Sequence, residues 1–116
     1  MTVVNVLTTL TVSDFDAAVA WYEQLFGRPA DRRPMDGLAE WQLSPTGGVQ
    51  VYRGAEEAGA SAVVISVDDI DAHTAELARR GFQLETFDTP SGLFRLATIE
   101  DPAGNAITFS QALPTG

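Results

Sequence analysis

The residues Glu100-Asp101-Pro102-Ala103-Gly104-Asn105-Ala106-Ile107-Thr108-Phe109 decide how this chain is read. Pro102 presets φ for the second residue of a turn, and Gly104 can take φ > 0. Asp101 can accept a backbone N–H from the residues that follow it. Residues 94–99 before the turn and 106–110 after it read as strands, so the stretch predicts a β-hairpin. Along the second strand the side chains alternate, and Thr108 points away from Ile107 and Phe109.

Working outward, the same pattern is met again. Residues 62–67 form a β-branched run, and Asp68 or Asp69 caps a helix over 70–80 that ends at Gly81. Residues 82–87 read as a strand and 88–92 as a loop. Earlier in the chain, residues 5–12 read as a strand. Ser13 or Asp14 caps a helix over 15–26, with Phe15, Ala18, Val19, Tyr22, Leu25 and Phe26 on its apolar face. Residues 27–37 predict a loop with a short edge strand. Residues 38–43 and 49–53 predict two strands joined by the turn Ser44-Pro45-Thr46-Gly47-Gly48.

The chain is therefore an internal duplication. Val12-Ser13-Asp14-Phe15-Asp16-Ala17 matches Val67-Asp68-Asp69-Ile70-Asp71-Ala72, and Ser44-Pro45-Thr46-Gly47 echoes Asp101-Pro102-Ala103-Gly104. Each half reads strand, helix, then three strands. The expectation is one α+β domain over residues 1–116, built of module one (1–55) and module two (56–116). Two βαβββ modules side by side would form a curved mixed sheet, one face covered by helices and the other enclosing a cleft.

Composition excludes several functions. The 116 residues carry a net charge of −9 with a pI near 4.2, and the only local basic cluster is Arg28, Arg32 and Arg33, so a nucleic-acid surface is not expected. Acidity favours a cationic ligand by steering. The chain has no cysteine, which removes thiolate metal sites and thiol catalysis. No apolar run is long enough to span a bilayer, and no basic stretch with a long apolar run opens the chain, so a cytoplasmic protein is expected. Serines with a single histidine, His73, on a helix make no triad. Asp68, Asp69 and Asp71 read as capping and helix-dipole chemistry rather than a Ca²⁺ site.

On these motifs the chain resembles the vicinal oxygen chelate superfamily of glyoxalases, extradiol dioxygenases, fosfomycin-resistance enzymes and bleomycin-resistance proteins. The resemblance rests on Val12-Ser13-Asp14-Phe15 leading to Trp21-Tyr22 and Phe26-Gly27. It rests also on Val67-Asp68-Asp69-Ile70 leading to Gly81, and on Asp101-Pro102-Ala103-Gly104-Asn105. It implies paired βαβββ modules, commonly in a homodimer. It also implies, for the enzymes, a divalent metal held by His, Glu or Gln from four strands. Here those positions fall at Leu7, at Gln50 or Val51, at Ala62 and at Thr108. One amide among them does not hold a divalent cation, so no metal and no cofactor are expected.

Strand parity then gives the candidate ligand face. Leu7 and Thr9 share one face of the first strand, Gln50 and Tyr52 one face of the fourth, and Ala62 and Thr108 their counterparts in module two. Phe94 flanks the loop 88–92. Trp41 can face either core or cleft and is kept in the set. The expected function is metal-free binding of an aromatic or cationic small molecule, as in the bleomycin-resistance proteins. The alternative is a glyoxalase- or dioxygenase-like enzyme with an atypical site using Glu40, Gln50 or Tyr52. A third reading is an interaction module whose cleft is filled by its own side chains.

Overall fold

The computed structural model describes residues 2–114. Its elements run β1 (Val6–Val12), α1 (Phe15–Phe26), β2 (Arg32–Met35), β3 (Leu38–Ser44), β4 (Gly47–Arg53), β5 (Ala62–Ser66), α2 (Ile70–Arg79), β6 (Phe87–Asp88), β7 (Phe94–Glu100) and β8 (Ala106–Ala112). The strands hydrogen-bond into two four-stranded mixed sheets, ordered β1-β4-β3-β2 and β5-β8-β7-β6. In each, the module's first strand runs parallel to its last, and the other pairs are antiparallel. The α+β, twice-repeated βαβββ architecture read from the sequence is the one observed.

Two compact units make up the chain. One comprises Met1–Ser61 together with Asp101–Asn105, the other Ala62–Glu100 with Ala106–Gly116. In the first, α1 buries Phe15, Ala18, Val19, Tyr22 and Leu25. Against them stand Leu10, Val12, Ala39, Trp41, Val49 and Val51, all 0–1% exposed. Asp14 caps the helix through a bond from the Ala17 amide at 3.2 Å. In the second unit Asp69 caps α2 in the same way, accepting from Ala72 at 3.0 Å. There Ile70 and Leu77 are the buried residues of the helix, and Ala97, Ile107, Phe109 and Ser110 those of the sheet.

The turn Asp101–Asn105 joins β7 to β8 yet belongs to the first unit. Asp101 Oδ1 accepts the backbone N–H groups of Ala103, Gly104 and Asn105, each at 2.9 Å. Gly104 takes φ +103°, as the turn requires. Asp101 Oδ2 accepts the Tyr22 hydroxyl at 2.6 Å and the Asn105 amide at 2.8 Å, and Asn105 also donates to the Thr11 carbonyl at 2.8 Å. Gly59 approaches this turn so closely that a Cβ on it would stand 2.2 Å from the Ala103 carbonyl oxygen. Residues 54–59 read from sequence as a solvated linker; Glu56 and Glu57 are exposed, and Gly59 is the residue of that stretch that packs against the turn.

One element differs from expectation. Residues 82–87 were predicted as a strand, but pairing with β7 is limited to Phe87 and Asp88. Phe82 is instead buried as an anchor of the loop after α2, its amide bonded to the Leu77 carbonyl at 3.0 Å. Local β-propensity was outweighed by burial of one aromatic ring.

Candidate functional site

In the first unit the helix covers one face of the sheet and leaves the other open. Ala39, Trp41, Val49 and Val51 are all fully buried on the covered face. By alternation Glu40, Gln50 and Tyr52 lie on the open one. The register sets Thr9 beside Gln50, Gln50 beside Glu40, and Glu40 beside Arg32, a polar row across all four strands. Gln50 Nε2 donates to Thr9 Oγ1 at 2.8 Å. The Gln50-or-Val51 ambiguity is thereby resolved: Gln50 is on the open face and Val51 is core.

Glu40 has the most constrained environment of the row. Its side chain is 12% exposed, and the Arg32 Nε stands 3.1 Å from Oε2. That contact lacks hydrogen-bond geometry, and Oε2 is buried with no hydrogen-bond partner. Arg32 itself is 68% exposed. A hollow of about 490 Å³ opens here, lined by Arg32, Arg33, Pro34 and Glu40. Each residue was visible in the sequence; that Arg32 meets Glu40 was not, because the pairing depends on the bulged register of the edge strand. The signal that could have placed Glu40 is the period-two alternation of residues 38–42.

Trp41 is corrected from the candidate set to the core. It is 0% exposed, lies 6.1 Å from the Tyr22 ring and 5.7 Å from the Phe26 ring, and donates from Nε1 to the Arg28 carbonyl at 3.0 Å. The helix offers an aromatic surface and the segment after it a carbonyl acceptor, which suits an indole better than an open sheet face. Leu7, Thr9, Gln50 and Tyr52 keep to the open face, with Tyr52 42% exposed.

In the second unit Ile107 and Phe109 are buried beneath α2, which leaves Thr108 on the uncovered side. Thr108 is paired with Val64 and with Thr98, and the two threonine hydroxyls lie 2.9 Å apart. Val64 at 66% and Phe94 at 44% exposed are large apolar side chains left open to solvent. Ala62, two residues before Val64 on β5, falls on the same face. On the covered side the His73 ring lies against Phe109, tilted by 54° with ring centroids 4.5 Å apart, and its Nε2 is buried with no hydrogen-bond partner. Burial of the ring, and next the Arg80 charge, hold its pKa below the ordinary imidazole range; Glu76 opposes them.

On the resemblance, the positions at which the related enzymes hold a metal fall at Leu7 and Gln50 in the first unit and at Ala62 and Thr108 in the second. Two alkyl groups, one amide and one hydroxyl do not fit a divalent cation, which needs several carboxylate or imidazole donors. Among the described residues no group of three or more His, Cys, Asp or Glu is placed to hold a metal ion. No helix among them is long and apolar enough to cross a membrane.

The fold has many solved counterparts. A glyoxalase/bleomycin resistance protein from Catenulispora acidiphila is 30% identical, with a TM-score of 0.86 over 96% of this chain and 99% of its own. TnmS3, an antibiotic binding protein from a Streptomyces strain, is 22% identical, with a TM-score of 0.74 over 97% of this chain and 98% of its own. A lactoylglutathione lyase from Agrobacterium tumefaciens is 21% identical, with a TM-score of 0.69 over 90% of both chains. At those last two identities the likeness is one of fold. None of the curated proteins matches this chain. The model of the Glyoxalase/Bleomycin resistance protein/Dioxygenase superfamily matches residues 4–109, nearly the whole duplication. The chain belongs to that superfamily.

Proposed function

We propose that this protein binds and sequesters a small organic molecule without a metal, using the open sheet faces. The observation that carries the reading is that the open face of each sheet, with Leu7 and Gln50 in the first unit and Ala62 and Thr108 in the second, offers hydrogen bonds and apolar contact in place of metal ligation. Exposed Tyr52 and Phe94 add ring surface, and the Thr9–Gln50 and Thr98–Thr108 pairs add polar groups that can reorient toward a ligand. The ligand class is aromatic or cationic. TnmS3 binds an antibiotic on the same fold, which supports a binding role.

The second reading is catalysis without a metal. Its support is Glu40, a largely buried carboxylate beside Gln50, and the lyase found among the structural counterparts. The proposal includes a homodimer in the cytoplasm. Val3 and Val4, just before the edge strand β1, and Val6 on it, each more than 60% exposed, support a partnered surface there.

The test begins with elemental analysis after incubation with Ni²⁺, Zn²⁺, Mn²⁺ or Fe²⁺ and desalting. The binding reading expects no stoichiometric metal. It also expects members of an aromatic panel to bind calorimetrically, more weakly in Tyr52→Ala and Phe94→Ala. One metal per chain would overturn it. Turnover of a bound compound that is lost in Glu40→Gln would establish the catalytic reading instead.

A further inference from the structure

A carboxylate oxygen buried without a hydrogen bond is costly, because desolvation has removed its water and nothing has replaced it. Glu40 Oε2 is such an oxygen. It lies on β3, one strand in from the edge strand β2, on the open face and beside a hollow of about 490 Å³. The side chain as a whole is 12% exposed, with Arg32 Nε as its charged neighbour.

Arg32 is a weak competitor for this carboxylate. It is 68% exposed and meets Glu40 off the hydrogen-bonding direction. Ion pairs with one solvated member contribute little, since screening and side-chain entropy offset the attraction. A ligand N–H⁺ that aims directly at Oε2 gains a charge-assisted bond that Arg32 does not make. Gln50 and Tyr52 lie next along the same face, Tyr52 diagonal to Glu40 and 42% exposed. A ring attached to the cation would find its surface there. The chain's −9 charge would raise the local concentration of such a ligand.

We infer that Glu40 is the anchor for a protonated amine on the open face of the first sheet, with Arg32 as its displaceable occupant. This inference rests on the binding reading above and names its ligand class: an organic ammonium bearing an aromatic group.

Calorimetric titration with benzylamine and with benzyl alcohol, its neutral counterpart, tests it at pH 7. Benzylamine is expected to bind about tenfold more tightly, the size of one charge-assisted hydrogen bond. The ratio should fall to near one in Glu40→Gln, which keeps the side-chain shape. Arg32→Met should raise benzylamine affinity by removing the competitor, and this arm stands even if Glu40→Gln does not fold. Equal binding of the two probes, binding of neither, a ratio that survives Glu40→Gln, or no gain in Arg32→Met overturns the inference. The broader binding reading falls only if the aromatic panel also fails to bind, so the two failures are distinguishable.

Discussion

The two hairpin turns occupy the same place in the repeat and do different work. Ser44–Gly47 links β3 to β4 at the surface, with its serine hydroxyl reaching the Thr46 amide and the Gly47 carbonyl at 3.4 Å. Asp101–Asn105 links β7 to β8, and in it a single buried carboxylate accepts five hydrogen bonds, including one from Tyr22 of α1. Duplication supplied one turn pattern twice. Asp101 stands where the first turn has Ser44, and with Asn105 and Tyr22 in reach it makes the second turn part of the first unit's core. Its phenol shows the depth of that burial: desolvation, then the bond to Asp101, push the Tyr22 pKa far above the ordinary phenol range.

The largest break in this comparison is Asp101→Ala. It strands the Tyr22 hydroxyl and the backbone amides of Ala103 and Asn105, while Gly104 keeps its bond to the residue 101 carbonyl, and urea denaturation should show a loss of about 3–5 kcal/mol. An unchanged midpoint would mean that the turn is ornamental. Trp41→Phe comes next: with its indole packed under α1, stability should fall by about 1–3 kcal/mol while ligand affinity in the calorimetric panel stays the same. A selective loss of affinity would return Trp41 to the ligand face. Tyr22→Phe should cost about 1.5–3 kcal/mol, the range of a bond to a charged group, because Asp101 keeps its other donors.

The fourth prediction concerns pH and the second unit. His73 has its folded pKa below the unfolded value of about 6.5, so the unfolded chain binds the proton more readily. The stability it contributes is fully present above about pH 6.5 and is lost as pH falls through the window below it. Denaturation at pH 7.5 and 5.5 should show this decline, and His73→Phe should make it shallower; equal slopes would remove His73 as its source. Asp31 and Asp88 are depressed too, by the Gln42 amide and by Arg95 respectively, but they titrate at lower pH and leave this window clear. Smallest of all, Ser44→Ala should change stability by no more than about 0.5 kcal/mol. A larger effect would mean that the two turns are more alike than their bonds suggest.

Helix positions, each N-cap to within two adjacent residues, and the Pro102–Gly104 turn were legible in the sequence, because capping and turn chemistry act over a few neighbouring residues. So was the duplication. The candidate face was half legible. Alternation placed Gln50, Tyr52 and Thr108 once Val49, Val51, Ile107 and Phe109 were taken as core, but Trp41 was left open between core and cleft, because an indole can satisfy its N–H in either setting. The strand expected at 82–87 failed for a related reason: Phe82 fits a strand locally and a buried anchor globally.

The sequence by itself determined the twice-repeated βαβββ order and the chemistry at Leu7, Ala62 and Thr108, since composition at a strand position is a local fact. Only the tertiary structure decided that Arg32 meets Glu40 and that the second hairpin's turn joins the first unit's core. It alone put Trp41 beneath α1. Those pairings join residues far apart in the chain, and the free energy that selects them comes from burial and from satisfying buried polar groups, which no short window of sequence contains.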